Sequence, residues 1–327
     1  MCQMPTRVMS KPNRVQTLMN TSQPLVLSFG SCLSHLTAVQ LSMFYGWKLV
    51  GNVAHNRSDQ FIDYYIDKRT TPPSLADLSA LVRFKPDSED YARRILANQY
   101  PEEMGRHDLP EATPLFELLE ETKIDLILLD NFMDLSAQLF EFQTGLEGKI
   151  FSNAHMFENL TDFGKLGHVL SARQSAENFV RLVQWLRARQ PQAKIVVLSF
   201  QYSQIDKNAE RYHRARDFWV ELVKLKTEDF SICPPLHPPL DRTKGCVDWA
   251  HFEEDIYRAL AGMLHLHVFA HTPLPDNNYV LPPAALRRPS QYNLQGRIAL
   301  GINRLRERLA LMRYNLRIRT RLKQFLK

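Results

Sequence analysis

Pro24-Leu25-Val26-Leu27-Ser28-Phe29 runs straight into Gly30-Ser31-Cys32-Leu33-Ser34, and a helical spacing follows from about Leu36 to Tyr45. A short β-rich apolar run closed by glycine, then a 3.6-residue period, reads as a strand, a tight turn and a helix. Outward from that unit the same alternation continues. A second strand reads Lys48-Leu49-Val50, closed by Gly51-Asn52, and Ser58 to Ile66 has helical spacing with Ser58 as its cap. Ile124 to Leu129 is the clearest buried strand, broken only by Asp125 and ending at Asp130-Asn131. A helix from Ala172 to Arg189 stops at Pro191; a strand from Lys194 to Ser199, a helix from Lys207 to Lys226, a short strand from Asp229 to Cys233 and a helix from Phe252 to Leu266 complete the series. Strands alternating with helices predict a mainly parallel sheet covered by helices on both faces, a three-layer α/β/α sandwich.

The expected organisation is a flexible N-terminus at 1–23, one α/β domain over 24–270, and a Pro-rich linker with a basic amphipathic tail over 271–327. Residues 69–114 are polar and Pro-punctuated, with one helix around Ser88 to Asn98, and are expected to form an insertion or lid. The formal charge of +6 belongs to the tail, because Arg287 to Lys327 holds 12 basic residues against the single acid Glu307, leaving 29 basic and 34 acidic residues elsewhere. A mildly acidic body argues against nucleic acid as the partner. In the tail, Leu305, Leu309, Met312 and Leu316 interleave with arginines and few aromatics, which suits an anionic membrane surface, met through 297–327, better than base stacking.

Four cysteines, Cys2, Cys32, Cys233 and Cys246, do not make a disulfide framework in a chain of 327 residues, so reduced thiols are expected. The first 23 residues offer no export signal and no run approaches the roughly 20 apolar residues of a membrane span, which predicts a cytoplasmic protein, peripheral at the inner membrane face if the tail makes contact.

In open α/β sheets ligands bind beyond the carboxyl ends of the strands. The residues at those places are Gly30-Ser31-Cys32, Gly51-Asn52 and Asp130-Asn131, and Asp248-Trp249-Ala250-His251 precedes the last helix. A thiol or hydroxyl on a strand-to-helix turn has backbone N–H groups and the positive helix end beside it. A histidine can act as its base, oriented by a carboxylate.

Phe29-Gly30-Ser31-Cys32-Leu33-Ser34 resembles the Phe-Gly-Asp-Ser-Leu-Ser opening of the GDSL hydrolases, and resembles still more the Gly-Ser-Cys opening of the GSCFA family. Gly51, Asn131 and Asp248-x-x-His251 then fall, in order, where the SGNH superfamily places its oxyanion glycine, its oxyanion asparagine and its final Asp-x-x-His. The resemblance is a thread of four short blocks between residues 24 and 267. It implies an SGNH/flavodoxin-like sheet, a nucleophile at Cys32 or Ser31, His251 as base and Asp248 as its orienting group. Cys32 stands where the superfamily has serine and Ser31 where it has aspartate, so the nucleophile is open between them. A cysteine there is also similar to the Gly-Asn-Cys-Gln opening of bacterial capsular-polysaccharide biosynthesis proteins thought to be acyltransferases. The implied activity is therefore an acyltransferase or esterase acting on a carbohydrate, glycolipid or surface-polysaccharide precursor; hydrolysis would need no cofactor, and transfer would suit a coenzyme A thioester donor.

Plainer assignments compete with these. Cys32 could be a small buried hydrophobe, Asn131 a turn or cap residue, Gly51 a turn residue, and Asp248 the cap of the last helix. Cys233, His237, Cys246 and His251 could be zinc ligands, yet they lack the close C-x2-C pair of structural zinc sites, so no metal is assigned. A different class of function, a membrane-associated glycan-binding or polysaccharide-assembly protein that keeps the fold without the chemistry, fits the same blocks.

Overall fold

A computed structural model describes residues 23–142, 147–153, 156–159, 164–200, 209–235 and 251–274. Strand β1 (Leu25–Gly30) leads into α1 (Cys32–Tyr45), β2 (Lys48–Ala54) and α2 (Ser58–Phe61), which passes into a π-helical turn at Ile62–Ile66. Next come α3 (Leu75–Leu81), α4 (Glu89–Ala97), α5 (Leu115–Glu121), β3 (Leu126–Asp130) and α6 (Phe132–Ser136). Three short strands follow, β4 (Leu139–Phe142), β5 (Lys149–Phe151) and β6 (Gly164–Leu166), then α7 (Ala172–Arg189), β7 (Lys194–Leu198), α8 (Ala209–Lys224), β8 (Ser231–Cys233) and α9 (Glu254–Phe269).

The main sheet has the order β2-β1-β3-β7-β8 and every pairing in it is parallel. From β1 the chain moves outward to β2; from β3 it moves the other way, to β7 and β8. Right-handed crossovers therefore put α1 on one face and α7 and α8 on the other. Contacts agree, since α1 packs on α9 and α7 packs on α8. The expected α/β/α sandwich with a mainly parallel sheet is thus the observed fold. Its topological switch point lies between β1 and β3, where such sheets form their binding crevice.

The central strands are buried on both sides, and all five residues of β3 are inaccessible. That is why they read as continuous apolar runs. Around them Leu27, Trp47, Phe61, Phe200 and Phe218 fill the core. One buried carboxylate ties the layers: Asp134 of α6 accepts from the Ser58 backbone N–H (2.8 Å), the Ser58 hydroxyl (2.5 Å) and the Ser175 hydroxyl (2.6 Å), linking α6 to α2 and α7.

Some expectations are corrected. Strand β2 does not close at Gly51-Asn52 but continues to Ala54, because Asn52 lies on an edge partnered by the insertion: its N–H donates to Gly105 O (2.6 Å) and its Nδ2 to His107 O (3.1 Å). Ser58 is not a helix cap, as its hydroxyl is spent on Asp134. The three-stranded antiparallel sheet β5-β4-β6 was not foreseen. Together with α3 and α4 it encloses a second small core of Leu78, Ile95, Leu96, Phe140, Ile150 and Phe157. Residues of segment 69–114, Leu78, Ile95 and Leu96 among them, are thus packed into this second core.

Candidate active site

Pairing sets Gly30 opposite Ala54, and Phe29 opposite Leu129, so the three strands β2, β1 and β3 end level with one another. Ser31, His55 and Asn131 consequently begin the loops at one sheet edge. The turn after β1 is held by Asp130. Its Oδ2 accepts from the Ser31 and Ser34 backbone N–H groups (2.7 and 2.9 Å) and its Oδ1 from Phe132 N–H (3.1 Å). Gly30 permits this approach, because a Cβ there would lie 2.5 Å from Asp130 Oδ2.

Ser31 caps α1, its Oγ accepting from Leu33 N–H at 3.3 Å. Cys32 is the first helical residue, is exposed, and opens onto a cavity of about 390 Å³. Ser31 and Cys32 line that cavity together with His251, which arrives from the entrance to α9 far along the chain. The structure thus brings Cys32 and His251 to one site, while Asp248 lies outside the described residues, as do His237 and Cys246. Cys233 is buried at the end of β8, and burial pushes its thiol up to about 12, as befits a core residue.

Gly51 is three residues back from the strand end, paired with Leu27, and does not line the cavity. The reason for glycine there is packing: an added Cβ would meet the Leu118 and Leu27 methyls at 3.0 Å. Asn131 makes no cap. Its Oδ1 accepts from Phe200 N–H (3.0 Å), leaving Nδ2 as a buried donor without a partner, next in sequence to Phe132, which with Phe200 lines the cavity.

The cavity residues that were not singled out from the sequence include three histidines and a tyrosine. His35 is one helical turn beyond Cys32, a spacing that places neighbours on one helix face and could have been noticed. Tyr91 and His107 come from segment 69–114, and His55 follows β2; their convergence is a product of tertiary packing with no local signal. His55 holds a left-handed φ of 59°, uncommon for a residue with a Cβ. Its ring stacks on Phe151 (5.6 Å between centroids, 7° between planes) and meets His107 edge-on at 4.9 Å.

Burial governs the charge of this set. It pushes His55 down to about 3, helped by His107 and opposed by Asp108. His35 and His107 are lowered for the same first reason, with Asp108 again opposing. Three imidazoles are therefore uncharged at neutral pH. The Tyr91 phenol is raised by burial and by the neighbouring Cys32 and Asp108, so it stays a donor. Among the described residues no group of three or more His, Cys, Asp or Glu is arranged to hold a metal ion, and no helix is long and apolar enough to cross a membrane.

A thiol at a helix N-terminus that shares a small cavity with a histidine can attack an electrophilic carbon and pass protons through the imidazole. No family model and no curated protein matches the chain. Solved structures similar to it include a GDSL-like lipase so named from Parabacteroides merdae (11% identity, 76% of this chain and 97% of that one, TM-score 0.39). Others are a carbohydrate esterase family 2 enzyme with a carbohydrate-binding domain from Corynascus thermopiles (11%, 76% and 66%, TM-score 0.41) and a carbohydrate esterase family 3 protein from Talaromyces cellulolyticus (12%, 76% and 97%, TM-score 0.36). At this level of likeness the functional reading rests on the geometry of the site itself.

Proposed function

We propose that the chain is an SGNH-like acyltransferase or esterase acting on a carbohydrate or surface-polysaccharide precursor, with Cys32 as nucleophile. The observation that carries this is the meeting of Cys32 and His251 in one cavity at the switch point of the sheet. Ser31 is less suited to attack, because its oxygen already serves α1 as a cap. His251 takes the thiol proton as Cys32 Sγ bonds to the acyl carbon, and returns it to the departing oxygen or sulfur as the acyl bond breaks. Water, or an acceptor hydroxyl, then attacks the thioester and regenerates the thiol. Asp248 would orient His251. The oxyanion falls to the Cys32 backbone N–H and the Asn131 amide, since Gly51 is inside β2. Hydrolysis needs no cofactor; transfer would draw on a coenzyme A thioester. Residues 297–327 would meet an anionic membrane surface.

A second base has a specific observation in its favour. His35 shares the cavity and lies one turn from Cys32, uncharged at neutral pH. Intact-protein mass measurement after brief exposure to acetyl-coenzyme A or p-nitrophenyl acetate separates the assignments. An acetyl adduct lost in Cys32→Ala and in His251→Ala supports the first. Loss in His35→Ala with retention in His251→Ala moves the base to His35. An adduct lost only in Ser31→Ala moves the nucleophile, and no adduct in any protein favours the glycan-binding class.

A further inference from the structure

The cavity that holds Cys32 is largely apolar, with a few polar groups set into its lining. Among the described residues that line it there is no lysine or arginine. Arg94 does not line it but pairs with Asp108 (3.0 Å) and lies over the Tyr91 ring (5.6 Å), both of which do. Asp108, 46% exposed and contributed by segment 69–114, is the one carboxylate among the described lining residues. The other polar side chains of the lining include Asn52, Tyr91, Asn153, His251 and the three uncharged imidazoles. One wall is an apolar surface of Phe132, Met133 and Phe200; the other is the flat His55–Phe151 stack.

Ligand and wall chemistry must match. A carboxylate or phosphate entering this space would lose its water, meet no lysine or arginine among the described lining residues, and approach the Asp108 carboxylate. A neutral ring bearing hydroxyls would not be penalised in this way, because an uncharged imidazole can either donate or accept through a reachable nitrogen, and the ring's C–H face can lie on an aromatic plane. The volume, about 390 Å³, is at the small end of the roughly 300–1,000 Å³ typical of small-molecule sites, which suits a monosaccharide with its acyl group.

We infer that this cavity is an acceptor subsite for a neutral sugar ring, seated against His55 and Phe151, and that it refuses uronates and sugar phosphates. This rests on the acyl-transfer assignment of the same site. The phosphate-bearing end of any coenzyme A donor would accordingly stay outside the described cavity.

Saturation-transfer NMR on Cys32→Ala protein tests this without turnover, using pairs of methyl glucoside with methyl glucuronide, methyl galactoside with methyl galacturonide, and N-acetylglucosamine with its 6-phosphate. At least one neutral member should bind at least tenfold more tightly than its anionic partner. That preference should fall in Asp108→Asn, and the neutral affinity should drop at least tenfold in Phe151→Leu. Equal or tighter binding of the anionic members, or no binding by any neutral sugar, overturns the inference. The p-nitrophenyl acetate adduct on wild-type Cys32 needs no sugar, so its presence or absence reports separately on the acyl-transfer chemistry.

Discussion

Asp134 should make the fold weaker at neutral pH than in mild acid, by an amount the structure allows to be worked out. Burial raises its pKa from 3.8 to about 6, against the opposing effect of hydrogen bonds from Ser175 and Ser58. The folded chain thus binds this proton more tightly than the unfolded chain does. Below 3.8 both states are protonated and nothing is lost; between 3.8 and about 6 the unfolded state ionises first, and stability falls. Each pKa unit is worth about 1.4 kcal/mol, so the full loss is about 3 kcal/mol, roughly two-thirds of it between pH 4.5 and 7. Asp134→Asn is the control. Its carbonyl can still accept from Ser58 N–H, and the Ser58 and Ser175 hydroxyls can rotate to accept from the amide. Urea denaturation of both proteins across this pH range isolates the carboxylate, since other titrating groups cancel in the difference. The wild type should lose about 2 kcal/mol relative to the variant from pH 4.5 to 7. A difference that changes by less than 1 kcal/mol would refute the account of Asp134 as a buried charge.

Asp130→Asn replaces an acceptor of the Ser31 and Ser34 N–H groups by a donor and should cost about 2–4 kcal/mol in denaturation, with slower alkylation of Cys32, because hydrogen bonds to charged groups are worth about 1.5–3 kcal/mol each. Full stability would show that the turn does not depend on this carboxylate. Gly51→Ala should destabilise by about 1–3 kcal/mol through overpacking against Leu27 and Leu118 yet leave Cys32 alkylation unchanged; a lost thiol reactivity with intact stability would return Gly51 to the site. The His55 ring signal should stay flat by NMR from pH 8 down to pH 5, and a midpoint near 6.5 would show that it is not buried as described.

The sheet was legible because its central strands are buried on both faces, which forces continuous apolar runs such as Leu126 to Leu129. Strand β2 was cut short because Asn52 is polar, and only the distant Gly105 and His107 carbonyls explain a polar residue inside that edge strand. Strands β4 to β6 have three or four residues each, too few for a period to emerge. At the site, Cys32 could be located because it follows a strand, and strand ends share an edge; Asn131 follows β3 in the same way but is buried behind the lining. The histidine wall could not, because His55 and His107 become neighbours only when segment 69–114 folds against β2. Asp130 was visible as a strand terminus, but its three backbone donors come from two separate turns.

Helices α1 and α9 both start at the cavity edge, one from Cys32 and one just after His251, and end in mutual contact between Tyr45 and His265 and between Trp47 and Phe269. At about 1.5 Å per residue, the 14 residues of α1 carry the chain roughly 20 Å from the thiol. The protein therefore has two poles, with its last described residues leaving from the one remote from the cavity. A dye or resin linked at Leu274 itself would therefore sit away from the mouth of the cavity and should preserve access for bulky substrates.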